Sequence, residues 1–311
     1  MNLAATWQTL PKTDTKTDAK TGVTTAPHTF GGPAGSTVSG TGEAADPVAK
    51  EVVLCADFTV TGRPEAGFPD LVARLDLDPD FWHIVPPSIG PGTDISGAEY
   101  VRSWLAPVQE SGLRVKAVMG YCVGAVYAAE LAEAVAEFQG DKPQLIVFDP
   151  EQTSMDTIRY QFGNVLGILS SILNDEDVAE TKEAVDRFYE TEGMTVGRYA
   201  SELYETFRSI GRRAFLRADL DPEYGEEMWG AFSSFLSYLS FADQLDPAQG
   251  WQRATALSSS SPLNGLNGLR RTAGEHAADG VVASEFAFTE GHDELLRSDE
   301  VVRTVAELLR K

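Results

Sequence analysis

The sequence predicts an α/β protein, with a mostly parallel sheet, helices on both faces and a helical region inserted into it. Three observations carry this. From residue 50 onward, short apolar runs of β type alternate with amphipathic helical runs, the pattern that places a parallel sheet between layers of helix. One β run ends at a glycine-flanked turn, Gly120-Tyr121-Cys122-Val123-Gly124. Between residues 151 and 250 the chain reads as helix with no convincing strand, too much for a simple βα crossover.

The elements follow in order. Residues 13–46 are rich in Thr, Gly, Ala, Pro and Lys and hold almost no large apolar side chain. They cannot bury enough surface to offset ordering entropy, so 1–49 reads as a disordered tail. Residues 51–56 (Glu-Val-Val-Leu-Cys-Ala) form a strand, 68–75 a short helix, 82–85 a strand, 97–111 a helix and 115–119 the strand before the turn. After the turn, Tyr127, Leu131, Val135 and Phe138 recur at helical spacing, Glu130, Glu133 and Glu137 take the other face, and Gly140 offers a stop. Residues 144–148 (Gln-Leu-Ile-Val-Phe) give a strand ending on Asp149. Helices are expected at 158–173, 178–191, 196–216 and 226–239, strands at 254–257 and 281–288, and a closing amphipathic helix at 294–310. The chain thus divides into a tail (1–49), a first part of the core (50–150), a helical lid insertion (151–250) and a second part of the core (251–311).

The glycine-flanked turn is G-x-C-x-G, the nucleophile-elbow pattern with Cys where Ser usually stands. A strand must reverse into a helix within a few residues, which strains the backbone at the nucleophile. Glycines two positions before and after it remove Cβ atoms that would clash. Cys122 then projects from the sheet at a helix N-terminus, where the helix dipole favours thiolate over thiol.

Two further groups complete a nucleophile, acid and base in chain order. Asp149 stands directly after the strand that follows the elbow helix. The sequence holds four histidines. His28 falls in the tail, His83 inside a strand as a core residue, and His276 in an exposed loop. His292 alone sits between the last strand and the closing helix, where a general base can reach a nucleophile. The order Cys122, Asp149, His292 matches that of α/β-hydrolases. Asp279 and Asp293 are the other candidates for the acid, the second poorly placed by its adjacency to His292.

On Gly120-Tyr121-Cys122-Val123-Gly124-Ala125, Phe148-Asp149-Pro150 and Gly291-His292-Asp293-Glu294-Leu295-Leu296, the chain from about residue 51 to 311 resembles the thioesterase branch of the α/β-hydrolase superfamily. The likeness is greatest to the thioesterases and Cys-type acyl or aminoacyl transferases associated with nonribosomal peptide and polyketide assembly. The resemblance implies an α/β-hydrolase-type sheet with a helical lid after the strand that carries the acid. It also implies a Cys122-His292-Asp149 triad, and an acyl group arriving as a thioester on the phosphopantetheine arm of a carrier protein or on CoA. No cofactor of its own and no metal is expected.

Two departures shape the expected chemistry. Cys in the elbow makes the acyl-enzyme itself a thioester, so passage to another thiol is nearly isoenergetic and transfer is as plausible as hydrolysis. The loop after the first core strand reads Asp57-Phe58-Thr59-Val60-Thr61-Gly62 in place of a glycine-rich run. The backbone N–H groups of Val123 and of Phe58 are the expected oxyanion donors, each worth about 3 kcal/mol when such a donor is in place. Arg208, Arg212, Arg213 and Arg217 recur at helical spacing in the lid and are a candidate docking patch for an acidic carrier protein, a solvated face being the competing reading.

Composition bounds the rest. With 311 residues, 42% hydrophobic and 9% aromatic, the chain can bury a large core. A net charge of -22 excludes phosphate-backbone binding and docking on anionic membrane as ready expectations. Two cysteines give no disulfide framework, and no signal sequence or long apolar stretch is present, so a cytoplasmic protein is expected. Three alternatives stay open: a dienelactone-hydrolase-like enzyme or a polyhydroxyalkanoate-synthase-like enzyme, both of which usually place the acid after the strand at 254–257, and a catalytically silent α/β-hydrolase fold used for binding. That later strand is followed here by Ser258–Ser261, Pro262 and Asn264 with no Asp, which favours the thioesterase arrangement.

Overall fold

The computed structural model describes residues 6–12, 50–58 and 65–311. A seven-stranded sheet in the order β1-β3-β2-β4-β5-β6-β7 organises them, a mostly parallel sheet of the α/β-hydrolase type. β1 (Thr6–Thr9) is antiparallel to β3 (Asp80–Val85), with Thr6 opposite Val85. Every other pairing is parallel, through β2 (Glu51–Ala56), β4 (Arg114–Tyr121), β5 (Gln144–Phe148), β6 (Thr255–Ser258) and β7 (Ser284–Ala287). The expectation of a disordered tail over 1–49 is therefore corrected at 6–12. Trp7 donates its indole N–H to the Trp104 carbonyl at 2.9 Å, and the Leu10 N–H reaches the Phe81 carbonyl at 2.9 Å. The remainder of that predicted segment lies outside the described residues.

The central strands are buried on both faces, which is why they read as unbroken apolar runs. Along β2, Val52, Leu54 and Ala56 point into one core and Val53 and Cys55 into the other. The first core is covered by α2 (Gly97–Ser111), α3 (Gly124–Gln139) and the lid. The second core is covered by α1 (Phe68–Val72) and the C-terminal helix. The predicted helix 97–111 and strand 144–148 fall on the observed bounds. Ser96 caps the first of these by accepting the Glu99 N–H, with Glu99 returning the bond.

After β5 the chain leaves the sheet and runs through α4 (Met155–Ile168), α5 (Asp175–Tyr189), α6 (Val196–Arg217), α7 (Pro222–Ala242) and the short α8 (Ala248–Trp251) before returning at β6. Each of α4 to α7 begins on a Ser, Asn, Thr or Asp cap whose side chain accepts a first-turn N–H. α9 (Gly265–Ala273) follows β6 and was not expected from the periodicity. The single closing helix predicted over 294–310 is two elements, a 3-10 turn at His292–Arg297 and α10 (Asp299–Leu309). Ser298 breaks them apart by taking extended backbone and accepting the N–H groups of Glu300 and Val301.

Candidate active site

β4 becomes α3 within a few residues, and the sharpness of that turn fixes the site. Cys122 has φ of +54°, a left-handed conformation that a non-glycine residue holds only when its surroundings impose it. Its N–H is bonded to the Phe148 carbonyl at 2.9 Å, and its own carbonyl accepts the N–H of Ala125 at 3.1 Å and of Glu151 at 3.3 Å. The flanking glycines are required by contact. A Cβ on Gly124 would fall 1.9 Å from the Ala56 carbonyl oxygen at the end of β2, and one on Gly120 would lie 2.6 Å from the Ala125 Cα.

Asp149 ends β5 and also takes a positive φ, +42°. Its carboxylate is fully buried, with 0% of the residue exposed. Oδ1 accepts the Ser259 N–H at 2.8 Å and Oδ2 lies 2.7 Å from Nδ1 of His292. The serine-rich end of β6, which carries no acid, thus holds the carboxylate supplied by β5. His292 opens the 3-10 turn after β7, with 15% of its side chain exposed. Its ring stacks on Tyr121 with centroids 4.8 Å apart and an interplanar angle of 23°, and the Tyr121 hydroxyl donates to the His292 carbonyl at 2.7 Å. Cys122 and His292 line one cavity of about 80 Å³, together with Val123, Phe58, Phe235, Tyr238 and Leu239.

The other candidate acids do not meet His292. Asp279 pairs with the exposed His276 at 3.0 Å, and the Asp293 carbonyl accepts the Ala66 N–H at 2.8 Å. His83 is a buried core residue whose Nε2 bonds to Asp57 Oδ1, and Asp57 Oδ2 also accepts the Phe68 N–H at 3.3 Å. This pair pins the chain just before Phe58, whose ring packs on Phe235 and Tyr238 at 5.0 and 5.2 Å. Residues 59–62 of the predicted oxyanion loop lie outside the described residues.

Glu151 is a neighbour that sequence reasoning missed. The positive φ at Asp149 turns the chain back over the elbow, and Glu151 Oε2 lies 3.8 Å from Cys122 Sγ, accepting the thiol. Oε1 accepts the Thr157 hydroxyl at 3.5 Å. Burial pushes the Glu151 carboxyl above the ordinary carboxylate value; His292 and hydrogen bonds from Asn264 and Thr157 pull the other way, and the Asp149 charge adds to the rise. The only sequence signal was its place in Phe148-Asp149-Pro150-Glu151, two residues past the predicted acid.

The lid aromatics divide between two roles. Phe162, Phe207, Trp229 and Phe232 stack on one another as the lid's own core, while Phe235 and Tyr238 reach the cavity. Three of the four arginines in the row, Arg212, Arg213 and Arg217, pair with acids of the lid. Arg212 bonds to Glu226 at 2.5 Å, Arg213 pairs with Glu180, and Arg217 pairs with the buried Asp177. Among the described residues, no group of three or more His, Cys, Asp or Glu side chains has metal-binding geometry, and no helix is long and apolar enough to cross a membrane.

No protein-family profile matches the chain, and no curated protein matches it in sequence. Likenesses to solved structures are remote. The NocB thioesterase domain in covalent complex with a fluorophosphonate nocardicin G analogue is 14% identical over 85% of this chain and 94% of that one, with a TM-score of 0.43. The wild-type Vlm2 thioesterase domain is 15% identical over 98% and 97%, at 0.40. A bromoperoxidase from Bacillus anthracis is 12% identical over 85% and 93%, at 0.43. The fold assignment rests on strand order and the elbow rather than on these superpositions.

Proposed function

We propose that the protein is a thioesterase-like enzyme that carries an acyl group on Cys122 and passes it to a second thiol or to water. The observation that supports this most is the strained elbow at Cys122 sharing one cavity with a His292 that is held by a buried Asp149. In this reading the Cys122 thiol proton moves to His292 Nε2 as the sulfur attacks a thioester carbonyl. Asp149 fixes the tautomer by accepting from Nδ1 and stabilises the imidazolium that forms. The tetrahedral oxyanion is taken up by the backbone N–H groups of Val123 and Phe58.

Collapse of that intermediate breaks the bond to the departing thiol, which leaves with the proton from His292. The acyl group is then thioester-linked to Cys122. In the second half His292 deprotonates an incoming thiol or water, which attacks the same carbonyl and releases Cys122. With a thiol acceptor, one thioester bond is made as one is broken, so the exchange is close to thermoneutral. The donor in this reading is a phosphopantetheine arm of a carrier protein, or CoA, and a carrier protein is the proposed partner.

The test is thiol release from acyl- and aminoacyl-pantetheine by wild type, Cys122→Ala and His292→Ala. The reading expects release by wild type, none above background by Cys122→Ala, and a loss of about 100-fold or more for His292→Ala. Equal release above background by wild type and Cys122→Ala contradicts it, and release by wild type no faster than background puts a catalytically silent binding fold in its place.

A further inference from the structure

The surroundings of Cys122 carry an unusual charge pattern. Among the described residues, the acidic and imidazole side chains lining its cavity are Asp57, Glu65 and His292, with no lysine or arginine. Behind the sulfur stands Glu151. Its carboxyl accepts a thiol at 3.8 Å and a hydroxyl at 3.5 Å and a side-chain hydrogen bond from Asn264, and it stands beside the His292 imidazole. The thiol and hydroxyl bonds are long ones from neutral donors to a carboxyl shielded from water. A half-buried acid beside a nucleophilic sulfur opposes ionisation of that sulfur, so its presence asks for a compensating role.

Covalent geometry supplies one. In an acyl-enzyme the carbonyl carbon is bonded to Sγ, the α-carbon follows, and an α-substituent sits three bonds from the sulfur. An α-substituent turned toward Glu151 comes within one hydrogen bond of a carboxylate oxygen that lies 3.8 Å from Sγ. An ammonium there gains a charge-assisted bond in a partly desolvated site. We propose that Glu151 is a specificity residue that binds the α-ammonium of the acyl group, so that the substrate class is an aminoacyl thioester. This rests on the reading of Cys122 as the acyl carrier.

Burial already pushes the Glu151 carboxyl upward, and an incoming cation favours its ionised form and offsets the cost of shielding it from water. An acyl group without the amine leaves the carboxyl as it is and gains nothing. Phe58, Phe235 and Leu239 in the lining leave the rest of the acyl group an apolar wall.

The test uses two matched pairs of pantetheine derivatives, alanyl and propionyl, which differ only in the α-ammonium. First, equilibrium binding of their non-hydrolysable amide isosteres to the Cys122→Ala protein is measured. The alanyl isostere is expected to bind about 10- to 100-fold more tightly, and that preference to fall below about threefold when Glu151→Gln is added. Glu151→Asp, which keeps the charge, retains part of the preference and guards against a folding defect. Equal affinity of the two isosteres, or a preference that survives Glu151→Gln, overturns the proposal. Second, loading of wild type by the two thioesters reports on Cys122 itself. If the isosteres discriminate through Glu151 but neither thioester loads Cys122, the ammonium site stands and the acyl-carrier reading falls.

Discussion

Nδ1 of His292 lies 2.7 Å from Oδ2 of Asp149, and the other oxygen of that carboxylate is held by the Ser259 N–H at 2.8 Å. Both acceptor positions of a fully buried acid are thus engaged, which locks the imidazole with Nε2 as the nitrogen available to take a proton. Asp149→Asn keeps the shape and places an amide where an acceptor is needed. Single-turnover acylation of Asp149→Asn is expected to slow by about 1,000- to 10,000-fold, and a loss under tenfold would contradict the role given to the pair.

The elbow predicts opposite outcomes for two Gly→Ala changes. A Cβ on Gly124 would sit 1.9 Å from the Ala56 carbonyl oxygen, whereas one on Gly230, inside α7, meets nothing within 4 Å. Gly124→Ala is expected to lower unfolding free energy by about 3 kcal/mol or more, since two backbone segments must part. Gly230→Ala is expected to raise it by about 0.5–1 kcal/mol through helix propensity. Urea midpoints check both, and equal effects would mean that β2 does not approach the elbow as described.

Glu151 gives a stability prediction with a definite sign. Burial raises its carboxyl above the ordinary 4.5, so the folded protein holds this proton more tightly than the unfolded chain. Its contribution is fully present below the unfolded carboxylate range and is lost as pH climbs through the raised folded value. Glu151→Gln carries no such proton. The variant is expected to melt at a higher temperature than wild type at pH 7, by roughly 2–4 °C for each kcal/mol relieved, with the gap closing toward pH 4. A gap independent of pH, or one that opens on acidification, would contradict it.

In the lid, Asp177 is buried, accepts from the Asn174 N–H at 3.1 Å and pairs with Arg217. Arg217→Ala removes the nearer cation and leaves Arg213 at 3.8 Å. A loss of about 1–3 kcal/mol is expected, read by thermal or denaturant unfolding. Carrier-protein turnover, measured at a temperature where the variant stays folded, is expected to change less than twofold, because the arginine row serves the lid's own acids. A selective rise in KM for the carrier protein would restore a docking role.

The parts of this fold legible in the sequence were those set by local pattern. Glycines on either side of Cys122 announced the elbow because the close approach of Ala56 and of α3 admits no Cβ there, and Asp149 was visible as the polar stop of an apolar strand. β1 escaped because Trp7 and its partner Ile84 meet only by long-range antiparallel pairing, which a four-residue polar-apolar run does not signal. Asp57 stands in the loop after β2, as read, but its pairing with His83 on the neighbouring strand is long-range. Glu151 escaped for a similar reason, since its approach to Cys122 depends on the left-handed turn at Asp149. The break at Ser298 was written in Ser298-Asp299-Glu300, a cap followed by acids, but the apolar spacing on both sides masked it.

The central claim is that Cys122 carries the acyl group, and intact-protein mass after mixing with alanyl-pantetheine tests it most directly. The account predicts a wild-type mass increase equal to one acyl group, absent in Cys122→Ala and discharged by a second thiol or by slow hydrolysis. Indistinguishable masses for wild type and Cys122→Ala, with no acid or transferred acyl product formed by either, would contradict it.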